Sequence, residues 1–220
     1  MPHLYDRLLV ETEPARADFL SIPIIKRAIA GEIPRELYLD FLGQAYHHVR
    51  HTCPLLALAA ARTDDAVYSS ALFRYIGEEV GHESWILSDM AALSDGAQSP
   101  PPPRQPCRSM IAYAYYSIER ISPYALLGMV HVLEGISAAL ALNVAAALRR
   151  TINPAGGGGF LYLSSHGALD LEHTVFFTEL VNRLDNPVAG EAIIDCANMV
   201  YWLYGNVFRD IGQSMSETRP

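Results

Sequence analysis

The segment SSHGALDLEHTVFF, residues 164–177, places His166, Asp170 and His173 among apolar neighbours. A helix turns about 100° per residue, so offsets of four and seven return to nearly one face, within an arc of roughly 60°. Two imidazoles and a carboxylate on one stripe can ligate a divalent cation. Upstream, GEEVGHESW sets Glu79 and His82 three residues apart, which on a helix is again one face. HVLEGIS puts Glu134 into an otherwise apolar helix, where Gly135 and small neighbours are expected to let another helix come close.

Each group alone has a plainer reading. Glu79 and His82 have the spacing of a solvated surface pair, Glu134 could be a buried acid paired with His131 or an arginine, and His166 and His173 could fill a core. Together they read differently. Three acids and three histidines on three apolar helices match the Glu-x-x-His logic by which helical bundles hold two metals in their cores. Oxygen and imidazole donors without thiolate suit iron or manganese better than structural zinc. Three carboxylates against two divalent ions leave a small positive excess.

The elements that must carry these residues are helical. Apolar residues recur at helical spacing, and strand signals are scarce. Helices are expected at about 13–30, ended by Gly31, from Arg35 towards Ala61 with a kink at Pro54, and at 65–93. Others are expected from about Arg108 to Arg150 with an interruption at Pro123, through the 164–177 segment, and from beyond Asp185-Asn186-Pro187 to near Gly212. A proline-rich connector at about 94–106 and a glycine-rich joint at about 153–159 separate them. The expectation is one all-α domain of six or seven helices over residues 1–220, without internal repeat. The glycine joint lacks the Lys-Ser/Thr of a phosphate loop and reads as a hinge.

Composition narrows the function. Half of the 220 residues are hydrophobic, 18% are charged, and the net charge is -8. Nucleic acid is an unexpected partner for a chain without a basic stripe. Cys53, Cys107 and Cys196 form no CxxC pair, which fits a reducing compartment. The charged, proline-interrupted N-terminal stretch does not read as a signal peptide. The longest apolar run, 128–148, carries His131, Glu134 and Asn143, which suits the middle of a bundle better than a bilayer. A cytoplasmic protein without a membrane partner is expected.

The order Glu-x-x-His, then Glu, then His-x3-Asp-x2-His resembles that of the haem-oxygenase-like di-metal oxidases and oxygenases. Those proteins share the helical fold of haem oxygenase, the TenA thiaminases and the pyrroloquinoline quinone synthase. The resemblance spans most of the chain, and its third motif is matched in full. It implies a haem-oxygenase-like bundle holding two Fe(II) ions, with manganese an alternative and O2 as co-substrate. The implied ligands are Glu79, His82, Glu134, His166, Asp170 and His173. Some members add a glutamate from the helix that here reads QAYHHVRHT, which offers no acid, so a seventh ligand stays open. Tyr46, His47, Arg50 and His51 are expected on the substrate side, Arg50 as a clamp for a carboxylate, whereas His48 reads equally well as solvated. Tyr113, Tyr115 and Tyr116 could shape an apolar pocket or pack the core.

The implied activity is oxidation or oxygenation of a small organic acid, amino acid or amine. An external electron donor and a homodimer are compatible with it. Two alternatives stand beside it: a metal-independent enzyme of cofactor metabolism in the manner of TenA or the quinone synthase, and a non-catalytic binding protein on the same scaffold. A TenA-type thiaminase would need a nucleophilic cysteine in the pocket.

Overall fold

The computed structural model describes residues 3–94, 99–152, 157–184 and 186–217, all helix, turn or coil. The expected connector and joint fall partly on 95–98 and 153–156, and the expected helix boundary partly on Asp185, which lie outside the described residues. Eleven α-helices and one 3-10 turn occur among the described residues, more than the six or seven expected. Each extra break has a local cause.

The N-terminal part holds α1 (Leu4–Glu11), α2 (Glu13–Ser21) and α3 (Pro23–Ala30). Pro23 has no N–H to continue the ladder of α2, so the expected helix over 13–30 is two. Gly31, at φ 76, ends α3 in the left-handed conformation. The next helix divides into α4 (Arg35–Val49) and α5 (Thr52–Ala61). Pro54 is responsible: its ring would strike the carbonyl four residues back, so the chain breaks at Arg50–His51 and Pro54 falls within the first turn of α5. The expected kink at Pro54 is a break three residues earlier.

The segment expected as one helix from 65 to 93 is α6 (Ala66–Glu79) and α7 (Glu83–Leu93). Asp65 caps α6 by accepting from the Val67 and Tyr68 N–H groups. Gly81, at φ 89, turns the chain between the two helices. Helix α8 (Gln105–Arg120) leads through a 3-10 turn at Pro123–Ala125 into the long α9 (Leu126–Ile152). Helices α10 (Leu161–Arg183) and α11 (Pro187–Glu217) complete the bundle.

One cluster of buried side chains runs through the bundle, from Leu8 on α1 to Ile211 on α11. Helix α9 lies at its centre, packed on α10, α11 and α3. It is long and apolar enough to cross a membrane by length and composition; here it is a core helix that carries Glu134 inward. The close crossings depend on two glycines. A Cβ at Gly128 would stand 2.4 Å from the Ile193 carbonyl oxygen of α11, and one at Gly167 would stand 2.9 Å from Leu142 of α9. Gly135, expected to serve this purpose, is exposed and faces nothing within 4 Å.

Candidate metal centre

Three stretches bring the ligand-type residues together. Glu79 is the last residue of α6 and His82 the residue before α7, so the two lie on either side of the Gly81 turn rather than on one helix face. They still meet, with His82 Nδ1 3.1 Å from Glu79 Oε2. The His82 ring stacks on Trp85, its centroid 3.9 Å away, and meets His166 edge-on at 4.8 Å. Glu134 comes from α9, and His166, Asp170 and His173 from one stripe of α10, as the spacing predicts.

The relative placement of α7 and α10 is set by Asp89, which is 1% exposed. Its two carboxylate oxygens accept from the Leu161 and Tyr162 N–H groups at 2.8 Å each. The first turn of α10 is thus capped by a side chain from another helix.

Among the described residues, two sets of three could each hold a metal ion. Glu79, His82 and His166 form one and Glu79, Glu134 and His173 the other, with the ligand atoms of each set within 4.8 Å of one another. Glu79 belongs to both. Asp170 stands beside them: its Oδ2 is 3.8 Å from His166 Nδ1, and its Oδ1 is 3.5 Å from His173 Nδ1. Both Asp170 oxygens, His166 Nε2 and His173 Nδ1 are buried without a hydrogen-bond partner among the described residues. Buried polar atoms left in this state are costly unless a cation or water meets them. The donor set therefore fits a metal: oxygens and imidazoles, clustered, buried and unsatisfied.

The electrostatics agree. Burial pushes the Glu134 carboxyl up to about 7, despite the neighbouring His173. The Asp170 and Glu134 carboxylates hold the His173 ring protonated up to about 10, so without a metal a proton supplies positive charge there. Burial raises the Glu79 carboxyl, but the His82 hydrogen bond and the His166 and His173 rings outweigh it and leave it below its ordinary value. Burial lowers the His166 ring despite Glu79 and Asp170 nearby. Neutral imidazole is the form that binds a metal.

The family model described as iron-containing redox enzyme matches residues 39–205, a span that includes every residue of this centre. The chain belongs to that family. No curated protein matches the sequence significantly. Solved structures share the fold at low identity. A domain of unknown function with a heme oxygenase-like fold from Shewanella denitrificans has a TM-score of 0.84 at 19% identity, over 98% of this chain and 94% of that one. A TenA homolog from Pseudomonas syringae scores 0.78 at 13%, over 96% and 93%. Heme oxygenase-1 from the cyanobacterium Synechocystis scores 0.68 at 11%, over 98% and 95%. The haem-oxygenase-like, TenA-like fold expected from the motifs is the fold this iron-family chain has.

Beside the centre lies a cavity of about 180 Å3. Glu79, Glu134, His166 and Asp170 form its polar end, and its remaining wall is largely aliphatic and aromatic, including Ile25, Leu37, Leu56, Leu133 and Val144. None of the four residues expected on the substrate side lines it. His47 Nε2 lies 2.6 Å from the Pro101 carbonyl oxygen, and His51 Nδ1 lies 2.9 Å from the Tyr115 hydroxyl. Arg50 is exposed, its guanidinium 5.6 Å from the Tyr46 ring centroid, so it cannot clamp a carboxylate inside. Nor do Tyr113, Tyr115 and Tyr116 reach the cavity. The histidine of α4 that lines the cavity is His48, 4% exposed, with Nε2 unpartnered among the described residues. Burial, reinforced by His166, drives its ring down to about 3, so it is neutral. The correction is one helical step, about 100°, from His47 to His48. Glu78, which no motif in the sequence marks, also belongs here: its Oε2 lies 3.1 Å from His173 Nε2.

Proposed function

We propose that the chain is a non-haem di-iron oxidase or oxygenase acting on a small organic substrate with an apolar body and one polar head. The observation that carries the reading is the pair of ligand sets sharing Glu79. A carboxylate common to two sets would let one side chain serve two ions, and the Glu-x-x-His bundle logic calls for two. Glu79, His82 and His166 would hold one iron and Glu79, Glu134 and His173 the other, with Asp170 between the two histidines of α10. Iron bound there would supply the reduction of O2 and the oxidising power for hydrogen abstraction or oxygen insertion.

The chain's own residues do the rest. The apolar walls exclude water and hold the substrate body, which favours an organic acid or amine with a hydrocarbon or aromatic skeleton. His48, neutral and facing the cavity, offers a hydrogen bond to the substrate's polar head near the metals. Electrons for repeated turnover would come from an external donor. None of the three cysteines lines the cavity, which favours this reading over a TenA-like one that uses a cysteine nucleophile.

Anaerobic addition of Fe(II) to the purified metal-free chain should load about two irons per chain. Mixing with O2 should then give a transient visible absorption. A chain that takes up no iron and stays colourless would falsify the proposal.

A further inference from the structure

His173 has carboxylates at both ring nitrogens. Its Nδ1 looks into the centre, 3.4 Å from Glu134 Oε1 and 3.5 Å from Asp170 Oδ1. Its Nε2 looks the other way, 3.1 Å from Glu78 Oε2, a buried oxygen that accepts no hydrogen bond among the described residues. Glu78 is itself held. Its other oxygen, Oε1, accepts from Arg74 Nε at 2.9 Å, one helical turn back on α6. The Arg74 guanidinium lies 4.0 Å over the ring of Phe176, which sits one turn beyond His173 on α10. Two helices are thus joined by two rungs, Arg74 on Phe176 and Glu78 on His173. Tyr75, next to Arg74, closes the His173 ring in edge-on at 5.7 Å.

We propose that Glu78, fixed by Arg74, is a positioning residue: when His173 binds a metal, the unpartnered Glu78 Oε2 takes the hydrogen bond of its Nε2–H and so leaves Nδ1 as the lone-pair nitrogen aimed at the metal centre. A metal-bound imidazole needs its second nitrogen to donate, and a carboxylate acceptor fixes both tautomer and ring plane while making the ligand more basic. Glu78 is suited to this and not to ligation, because it lies on the far side of the ring from Glu134 and Asp170. Adjacent residues then divide the work: Glu79 faces the ions and Glu78 faces the back of a ligand. This inference rests on the di-metal reading above.

Cobalt(II) is the probe, titrated into the metal-free full-length chain against a competing chelator, with the d–d spectrum followed. The wild type should take up two ions. Glu78→Ala should weaken one of the two by about 10- to 100-fold, the scale on which such outer partners act, with the other ion and its spectrum retained. Glu78→Gln should fall between, since its amide oxygen still accepts from Nε2–H but carries no charge. Both variants should keep the metal-free melting temperature within a few degrees, because Glu78 is partly exposed. Wild-type affinity for both ions in Glu78→Ala overturns the inference and leaves the di-metal reading standing; so does an affinity loss that follows a loss of metal-free stability. Failure of the wild type to bind cobalt or iron overturns the di-metal reading, and the inference with it.

Discussion

Glu134 is the residue in which the conflict between folding and function is plainest. It is a carboxylate in an apolar helix, with Asp170 and Glu79 nearby, and burial raises it to about 7. A carboxyl group whose folded value lies above its unfolded value of about 4.5 reduces stability as pH rises between those two values, and the loss is complete above the higher one. Glu134→Gln removes the charge and keeps the shape. Its metal-free form should melt at the wild-type temperature near pH 4, gain on the wild type from there to pH 7, and stay a few degrees higher above that. It should also bind fewer than two irons per chain. Thermal melts in chelator and iron analysis read both outcomes, and a variant that loses melting temperature at pH 8 would contradict the argument. His48 is the mirror case: a base kept neutral by burial, with no partner for its Nε2 among the described residues.

Among the helices, the joint between α7 and α10 matters most, because His82 and His166 ride on it. Asp89 makes that joint by capping α10 from outside its own helix. Asp89→Ala removes two charge-assisted hydrogen bonds to backbone donors and leaves those donors without their partner. The expected loss is about 2–4 kcal/mol, from one to two such bonds at about 1.5–3 kcal/mol each, with partial rescue by water. Guanidinium unfolding should show it. The same variant should weaken the ion held by Glu79, His82 and His166 more than the other, since His82 immediately precedes α7, whereas Glu134 and His173 lie on α9 and α10, which pack directly on each other. Equal weakening of both would mean that Asp89 only stabilises the bundle. The Gly81 turn is the second device at this level: at φ 89 it ends the run of α6 and brings His82 back beside Glu79.

For the molecule as a whole, buried titratable groups set a stability optimum. Burial holds His131 down to about 4 and His48 to about 3, while an unfolded histidine titrates at 6.5. The unfolded chain therefore takes up protons at these two histidines, and at His51 and His166, whose rings burial also lowers, more readily than the fold does, and stability falls as pH drops below 6.5. Glu134 offsets part of this between pH 7 and 4.5. On the alkaline side His173 leads: its folded value of about 10 means a contribution fully present below 6.5 and lost as pH rises to 10, joined above pH 9 by the Cys107 and Cys196 thiols, which burial raises to about 11 and about 12. The metal-free protein should be most stable near pH 6.5–7, with a loss on the alkaline side of about 1.4 kcal/mol per unit. Melts from pH 4 to 10 in chelator test this, and an optimum above pH 9 would contradict it. Bound metal replaces the proton on His173, so saturating iron should flatten the alkaline limb.

What was legible beforehand was what is local. Helical periodicity and the scarcity of strand signals determine an all-α fold, and the offsets 166, 170 and 173 determine a stripe of ligands, because both follow from the turn of a single helix. Proline and glycine positions also mark breaks, although Pro54 acts three residues upstream and Gly81 divides a helix expected to be whole. Which face of α4 looks inward was decided by packing, and one step of the helix moved that place from His47 to His48. The pairing of Glu78 with His173, the cap from Asp89 and the crossings at Gly128 and Gly167 were likewise decided only in three dimensions. Each joins residues far apart in the chain, and which residues meet there depends on helix crossing and rotation, for which the spacing within one helix holds no information.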